Sequence, residues 1–307
     1  QYVLKHGAVH KVTSISINGD KGNIYKSSTE FAIALVDLVK LPKLHAILGL
    51  DGSNTNQPVV VKGSFTFQNL ASTSRNLTLE NIHFKKAKFL LIGTLFIIWK
   101  VIIFTQVEIT DKKVNQKDSN NKQYFTVTIY YCKFHMMSNI ANIISLSSYG
   151  LHLTIQNSVI HSTDIKVSSN HFAIAVKQVS IYHSQTFLDI KHSVPIPKDY
   201  QLIVYRSIQF IQVHAANGGL ENNSPFIFIS IASVKFKAFE CHFQNFHKAF
   251  QLKTVNVKSI FGGLNFKLNF ESCIFVKASI STISKQGIKI EIGEHLSPVV
   301  QGMVLVE

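Results

Sequence analysis

Eight segments of this chain lie over one another without a gap and share one pattern of apolar and polar residues: 77–84, 102–109, 127–134, 153–160, 174–181, 203–210, 236–243 and 268–275. At their first, third, sixth and eighth positions, 31 of 32 residues are hydrophobic, where the overall hydrophobic content of 46% would place about 15. The fourth and fifth positions are mostly polar, as in Glu80-Asn81, Thr105-Gln106, Gln156-Asn157, Lys177-Gln178, Arg206-Ser207 and Glu271-Ser272. Alternation with a period of two marks a half-buried strand. The two-residue interruption restarts that alternation, so each segment reads as two short strands meeting at a bend. The eighth positions form a structural ladder of Phe84, Ile109, Phe134, Ile160, Ile181, Phe210, Phe243 and Phe275, spaced 21 to 33 residues apart. Self-similarity at such a period signals stacked repeats. No helix-periodic stretch lies between the segments, which argues against βαβ units. The pattern predicts an all-β chain, a single-stranded parallel β-helix (solenoid) of about 8–10 coils.

The apolar columns with Asn, Gln or Ser at the bend resemble the right-handed β-helix of the pectin-lyase-like superfamily, over roughly residues 58–290. The resemblance is to a fold pattern. It implies right-handed coiling and admits pectate lyases, polygalacturonases, epimerases, phage tailspikes and non-enzymatic extracellular modules, so the fold decides no function. Residues 44–307 are read as the β-helix domain, with a strand at 44–50 and a first coil using Pro58, Val60, Gly63 and Phe65. Residues 1–43 are read as an N-terminal cap region, with a short capping helix over 28–39 that has Ser28 as N-cap and Glu30 in its first turn. Stretches 111–123, 191–200 and 214–225 read as loops leaving the coils.

Residues 89–104 (FLLIGTLFIIWKVIIF) are the one run apolar enough to suggest a membrane span. The run is short of the roughly 20 residues a spanning helix needs, contains Lys100, and is rich in residues that favour strands. Buried strands are the preferred reading, with membrane association through 89–104 as the alternative.

The three cysteines, Cys132, Cys241 and Cys273, all fall in the sixth position and join the structural ladder as buried free thiols. Cys241 and Cys273 fall in adjacent coils, at a separation a disulfide can bridge, but the buried-thiol reading is preferred. Of the 14 histidines, the register pairs His135 with His161 and His214 with His247 on the surface of neighbouring coils. No HExxH motif occurs, and His6 and His10 lack the accompanying glutamate. Surface imidazoles are the plainer reading, and no metal or other cofactor is expected.

The net charge is +14, and of 31 basic residues only Arg75 and Arg206 are arginine. Lysine is a hydrated point charge, whereas arginine is the bidentate reader of phosphate and guanine. The composition therefore argues against sequence-specific nucleic-acid binding and favours an acidic polysaccharide or a protein partner, with a plain solvated face as the blander account. Catalysis on acidic sugars needs clustered carboxylates. The candidates are Glu80, Glu108 and Asp111 across two early coils, and Asp164 and Asp189 in successive coils. Two glycosylation sequons begin at Asn76 and Asn222. Gln1 at the start suggests a mature form or a piece of a longer protein. The expected function is a non-catalytic extracellular module for binding or adhesion, secreted or part of a larger membrane-anchored glycoprotein. A carbohydrate-active enzyme (polysaccharide lyase, glycoside hydrolase or epimerase) is the rival.

Overall fold

The computed structural model describes residues 32–37, 46–49, 59–69, 75–80, 82–112, 124–135, 140–169, 171–191, 206–219, 224–231, 234–254, 266–283, 289–292 and 305–306. It is all-β, with no helix among those residues. The early strands are β1 (Ala32–Asp37), β2 (Ala46–Gly49), β3 (Val59–Asn69), β4 (Arg75–Glu80), β5 (Ile82–Gly93), β6 (Leu95–Lys100), β7 (Ile103–Thr105) and β8 (Glu108–Asp111). From there the chain repeats a long strand, a short one and a third: β9 (Tyr124–Tyr130), β10 (Lys133–His135), β11 (Asn142–Leu146); β12 (Gly150–Gln156), β13 (Val159–His161), β14 (Thr163–Val167); β15 (His171–Lys177), β16 (Ser180–Tyr182), β17 (Leu188–Lys191). It continues as β18 (Arg206–Ile211), β19 (His214–Gly219), β20 (Ile227–Ile231); β21 (Val234–Phe239), β22 (His242–Phe246), β23 (Phe250–Thr254); β24 (Phe266–Glu271), β25 (Ile274–Val276), β26 (Ile280–Ile283); then β27 (Lys289–Ile292) and β28 (Leu305–Val306).

All pairings are parallel, and β2, β4, β6 and then every third strand as far as β27 form one ten-stranded sheet. This is the first face. The short strands β7, β10, β13, β16, β19, β22 and β25 make a second face, and β8, β11, β14, β17, β20, β23 and β26 a third. Strands β3 and β5 span both, β5 pairing with β7 and also with β8, so the second and third faces share one eighteen-stranded sheet. The arrangement is compatible with a solenoid in which one traverse of the three faces is a coil.

The bends explain how one grammar serves every coil. Among the described residues fourteen non-glycine residues have positive φ, and they form two columns. Val101, Tyr131, Asn157, Gln178, Gln212, Glu240 and Ser272 stand between the first and second faces at φ 50–53°. Lys86, Gln106, Ser162, His183, Asn217, Asn245 and Lys277 stand between the second and third at φ 46–59°. A left-handed residue turns the chain sharply and lets two inward positions follow on the far side of the bend. Its amide is not wasted: the N–H of Asn157 donates to Lys177 O at 3.1 Å and that of Gln178 to Ile211 O at 2.9 Å. Exposed side chains extend the first column, with Gln178 donating to Gln212 and Gln212 to Glu240.

Inside, the eighth-position column is Phe84, Phe104, Phe134, Ile160, Ile181, Ala215, Phe243 and Phe275, each paired in register with the next. Phe104 and Phe134 stack at 4.6 Å, and Phe243 and Phe275 at 5.1 Å. Two segments of the sequence reading are corrected here, each by five residues. The equivalent of 77–84 is 97–104, because Leu77 pairs with Ile97 and Phe84 with Phe104. The equivalent of 174–181 is 208–215, because Ile174 pairs with Ile208 and Ile181 with Ala215. Ile109 therefore sits on the third face and Phe210 on the first, opposite Val176 and Ala238. Both are buried all the same. The reason is that Thr105-Gln106 is a genuine bend, but the second bend of its coil, while Arg206 and Ser207 are buried strand residues.

Three further expectations are corrected. Residues 32–37 are strand β1 paired with β3, not helix, since the edge of β3 offers a β-branched segment a ready ladder of hydrogen bonds; the rest of 1–43 lies outside the described residues. Residues 214–219, expected as a loop, form β19 between β16 and β22. Gly218 is needed there, because a Cβ would lie 2.1 Å from the Phe246 ring. The apolar run 89–104 is divided among β5, β6 and β7, with Phe89, Leu91, Leu95, Ile97, Trp99, Ile102 and Phe104 buried. No helix among the described residues is long and apolar enough to cross a membrane.

One buried polar side chain ties three coils together. Asn142 is fully buried; its Oδ1 accepts from Val107 N–H at 3.1 Å, and its Nδ2 donates to His135 O and His161 O. Asn142→Ala leaves these backbone groups unpaired in the interior and should cost roughly 2–4 kcal/mol in a denaturant titration. Val101 makes the opposite case: a β-branched residue held at φ 53° where another coil places Asn157. Val101→Asn should relieve that strain and gain about 1 kcal/mol, read as a rise in melting temperature of about 2 °C.

Candidate functional site: a column of imidazole and tyrosine rings beside a carboxylate pair

Parallel in-register pairing copies each outward position into the next coil at about 4.8 Å. On the second face this brings rings together in two adjoining columns: His135, His161 and Tyr182 share one register position, while His214 and His242 share another two residues earlier, Tyr182 standing opposite Ala216. His135 and His161 stack with centroids 6.3 Å apart and planes 14° off parallel. His161 stacks on Tyr182 at 5.1 Å, Tyr182 meets His214 at 5.9 Å, and His214 meets His242 at 4.9 Å. His183, at the adjoining bend, stacks on His161 at 6.3 Å. His214 is thus in register with His242 and not with His247, a consequence of the five-residue correction. His242 Nε2 is buried without a partner, while His135 and His183 are exposed. Further back, His83 Nε2 lies 3.0 Å from Thr105 Oγ1.

The electrostatics follow from this crowding. Burial lowers the pKa of His161, and His135 and His183 lower it further. Burial and then His214 lower that of His242; burial, Lys85 and His135 lower that of His83. These three rings are biased toward the neutral form at pH 7, able to accept or donate a hydrogen bond.

Around the second bend, on the third face, the chain places Asp164 on β14 and Asp189 on β17. Lys166 is directly opposite Asp189 in the register. Asp189 Oδ2 pairs with Lys191 Nζ at 2.7 Å, and its Oδ1 is buried without a partner. Burial raises the Asp164 pKa, Lys166 pulls it down, and Asp189 pushes it up. The two carboxylates of successive coils therefore feel one another, with lysines on either side.

The other carboxylate candidates are not brought together. Glu80 is on the first face, opposite Lys100, whereas Glu108 and Asp111 are on the third. Glu108 pairs with Lys88 at 3.2 Å. Asp111 accepts the Ser147 N–H on both oxygens, at 2.8 and 2.9 Å, a bond that pins the neighbouring coil. Asn76 lies in β4, and Asn222 lies outside the described residues. The three thiols are free and buried. Burial pushes Cys132 up to about 12, and Cys241 is raised by its hydrogen bond with Cys273 and by burial. Arg206 is buried at the start of β18, with its pKa lowered to about 10 by burial. Among the described residues no group of three or more His, Cys, Asp or Glu could hold a metal ion.

The column was only partly legible in the sequence. The His135–His161 pairing follows from two segments in true register, but the ring between them and His214 is a tyrosine. The signal that finds Tyr182 is its place one residue after Ile181, as His135 follows Phe134 and His161 follows Ile160.

A pH dependence of stability follows. Histidines whose pKa is lowered on folding bind fewer protons in the native state than in the unfolded one. Their contribution is intact above the unfolded value near 6.5 and is lost as pH falls through the lower native value. The melting temperature should therefore drop between about pH 7.5 and pH 5.5. His161→Gln should flatten that drop; an unchanged slope in the variant would remove His161 from the account. Asp164, shifted upward, acts in the opposite sense at lower pH.

No protein-family model matches this chain, and no curated protein or solved structure matches it, so its function has to be read from its own residues.

Proposed function

We propose that this protein is a non-catalytic extracellular binding module, built on a right-handed parallel β-helix of the pectin-lyase-like kind, that presents one long face to an anionic glycan. The observation that carries this is the line of ring side chains from His135 to His242, which crosses five successive coils on a single outward face. A site spread along a regular surface suits an extended polymer rather than one small substrate. Lysines supply the complementary charge: the net charge is +14, and Lys133 lies on the same face, outward beside the start of the line. The fold gives such a module stiffness, since each coil is held by its neighbours along three faces. In this reading the protein is secreted or displayed at a cell surface, and Asn76 and Asn222 are its glycan acceptors.

The second reading, an enzyme acting on acidic polysaccharide, is favoured by one observation: Asp164 and Asp189 lie close enough to perturb each other and are flanked by Lys166 and Lys191. A carboxyl whose pKa is raised can act as a general acid, and a lysine can assist at the uronate carboxylate.

A glycan array probed at increasing salt separates the two. The binding module should retain uronate- or sulfate-bearing glycans at low salt and release them as ionic strength rises, with no product formed. Release of new reducing ends or unsaturated uronate from a bound polymer, abolished by Asp164→Asn, would overturn the non-catalytic reading. Silence across the acidic glycans would overturn both.

A further inference from the structure

The second face carries more histidine than a neutral binding strip needs. His135, His161 and His214 stand in three of four successive coils, with Tyr182 completing the line. The plane of His161 lies 14° from that of His135 and 21° from that of His183, while His214 is tilted 59° from Tyr182. Rings stacked near parallel cover each other's faces and leave their edges, where the ring nitrogens are, for solvent or a ligand. We propose that His135, His161 and His214 form a proton-dependent docking strip for the acid groups of the glycan, which binds more tightly as the pH falls. This rests on the anionic-glycan reading above and adds the part of the surface used and its regulation.

The physical case is one of neighbouring like charges. Imidazolium rings in adjacent coils, His135 with His161 at 6.3 Å and His214 with His242 at 4.9 Å, repel each other. A polymer that repeats its acid groups at regular intervals lays negative charge along the row and removes that repulsion. Binding then favours the charged rings, and by linkage protonation favours binding. The surrounding groups do not supply that negative charge in advance. On the elements around the strip, the titratable and charged side chains are His83 and Lys85 on β5, Lys133 on β10, Tyr182 on β16 and His242 on β22. Lys86, His183 and Lys277 stand at the second bend. Of the carboxylates beside the bends, Glu240 accepts a hydrogen bond from Gln212, Glu271 pairs with Lys237, Glu108 pairs with Lys88, and Asp164 has its charge offset by Lys166. The cations therefore outnumber the carboxylates around the row.

The sign is definite. In the free protein burial and neighbouring rings hold His161 below its ordinary pKa; a bound polyanion raises it. Affinity should rise as pH falls through the histidine range and level off below it.

The test uses two probes whose acid groups stay ionised throughout that range, dextran sulfate and polygalacturonate, each titrated into the whole chain at about pH 7.5 and about pH 5.5 at one fixed salt concentration. The wild-type affinity for at least one probe should increase by about tenfold or more on acidification, the factor that one unit of upward shift on one imidazole supplies. In His135→Gln/His161→Gln/His214→Gln the ratio of low-pH to high-pH affinity should fall close to one, whatever its affinity at the higher pH. The single variant His161→Gln should lose part of the acid gain, which keeps the test valid if the triple variant does not fold. A response confined to one probe identifies sulfate or uronate as the group recognised. Binding that is equal at both pH values, or an acid gain that survives the triple substitution, overturns the docking strip and leaves the glycan-binding reading standing. Absence of binding to either probe at both pH values overturns the glycan reading itself, and the strip with it.

Discussion

A residue at φ near +50° costs about 1 kcal/mol or more when it has a Cβ, and the described residues include fourteen of them. What offsets that cost is translation. Because coils stack in register, the amide turned outward at one bend meets a carbonyl of the next coil, as Tyr131 N–H meets Gln156 O at 3.2 Å and Gln212 N–H meets Phe239 O at 2.9 Å. The residue after each first bend contributes in the other direction, its carbonyl accepting from the next coil: Cys132 O from Val159 N–H, Cys241 O from Ile274 N–H. A bend taken alone would leave these groups bare. Stacked, the bends form a hydrogen-bonded ladder of their own, and the three faces on either side inherit their register from it.

That register decides what kind of chemistry the surface can hold. Stacking carries each outward position through every coil, so like groups gather in rows: imidazoles in two neighbouring rows of the second face, amides along the bends, phenylalanines within. Convergence of unlike groups from distant coils is correspondingly hard. Glu80 and Glu108 illustrate it; they are 28 residues apart in sequence, yet the bends send them to different faces. Asp164 and Asp189 approach each other because they share a face in adjacent coils. A long, repetitive ligand matches such a surface better than a compact one does.

Much of the architecture was legible in the alternation of apolar residues. Six of the eight segments stand in true register, and the corrected columns, with Trp99 and Ile102 in one coil and Phe210 and Val213 in another, are as hydrophobic as the ones first read. That is the physical source of the error. Each coil has two bends with the same in–out–in grammar, so hydrophobicity alone cannot distinguish 97–104 from 102–109. Apolar residues at the bends, Val101 and Ile211, concealed the right choice. The candidate site suffered from the same slip, which moved His214 away from His242. The carboxylates were less legible still, since which face a residue occupies depends on counting bends and not on local pattern. Strand β1 was misread because AIALVD fits a helix as well as a strand, and the edge of β3 arbitrates.

Coil length varies widely: 20 residues separate Phe84 from Phe104, but 34 separate Ile181 from Ala215. Both coils nonetheless present the same columns at the same spacing. Extra residues fall between the third-face strand and the next first-face strand, as between β17 and β18, or between the second-face and third-face strands, as between β10 and β11. Chain length and rod length are thereby uncoupled. A coil can acquire a new peripheral segment without shifting the ladder above or below it, so such a protein can change what stands at its corners while its long face keeps the same pitch.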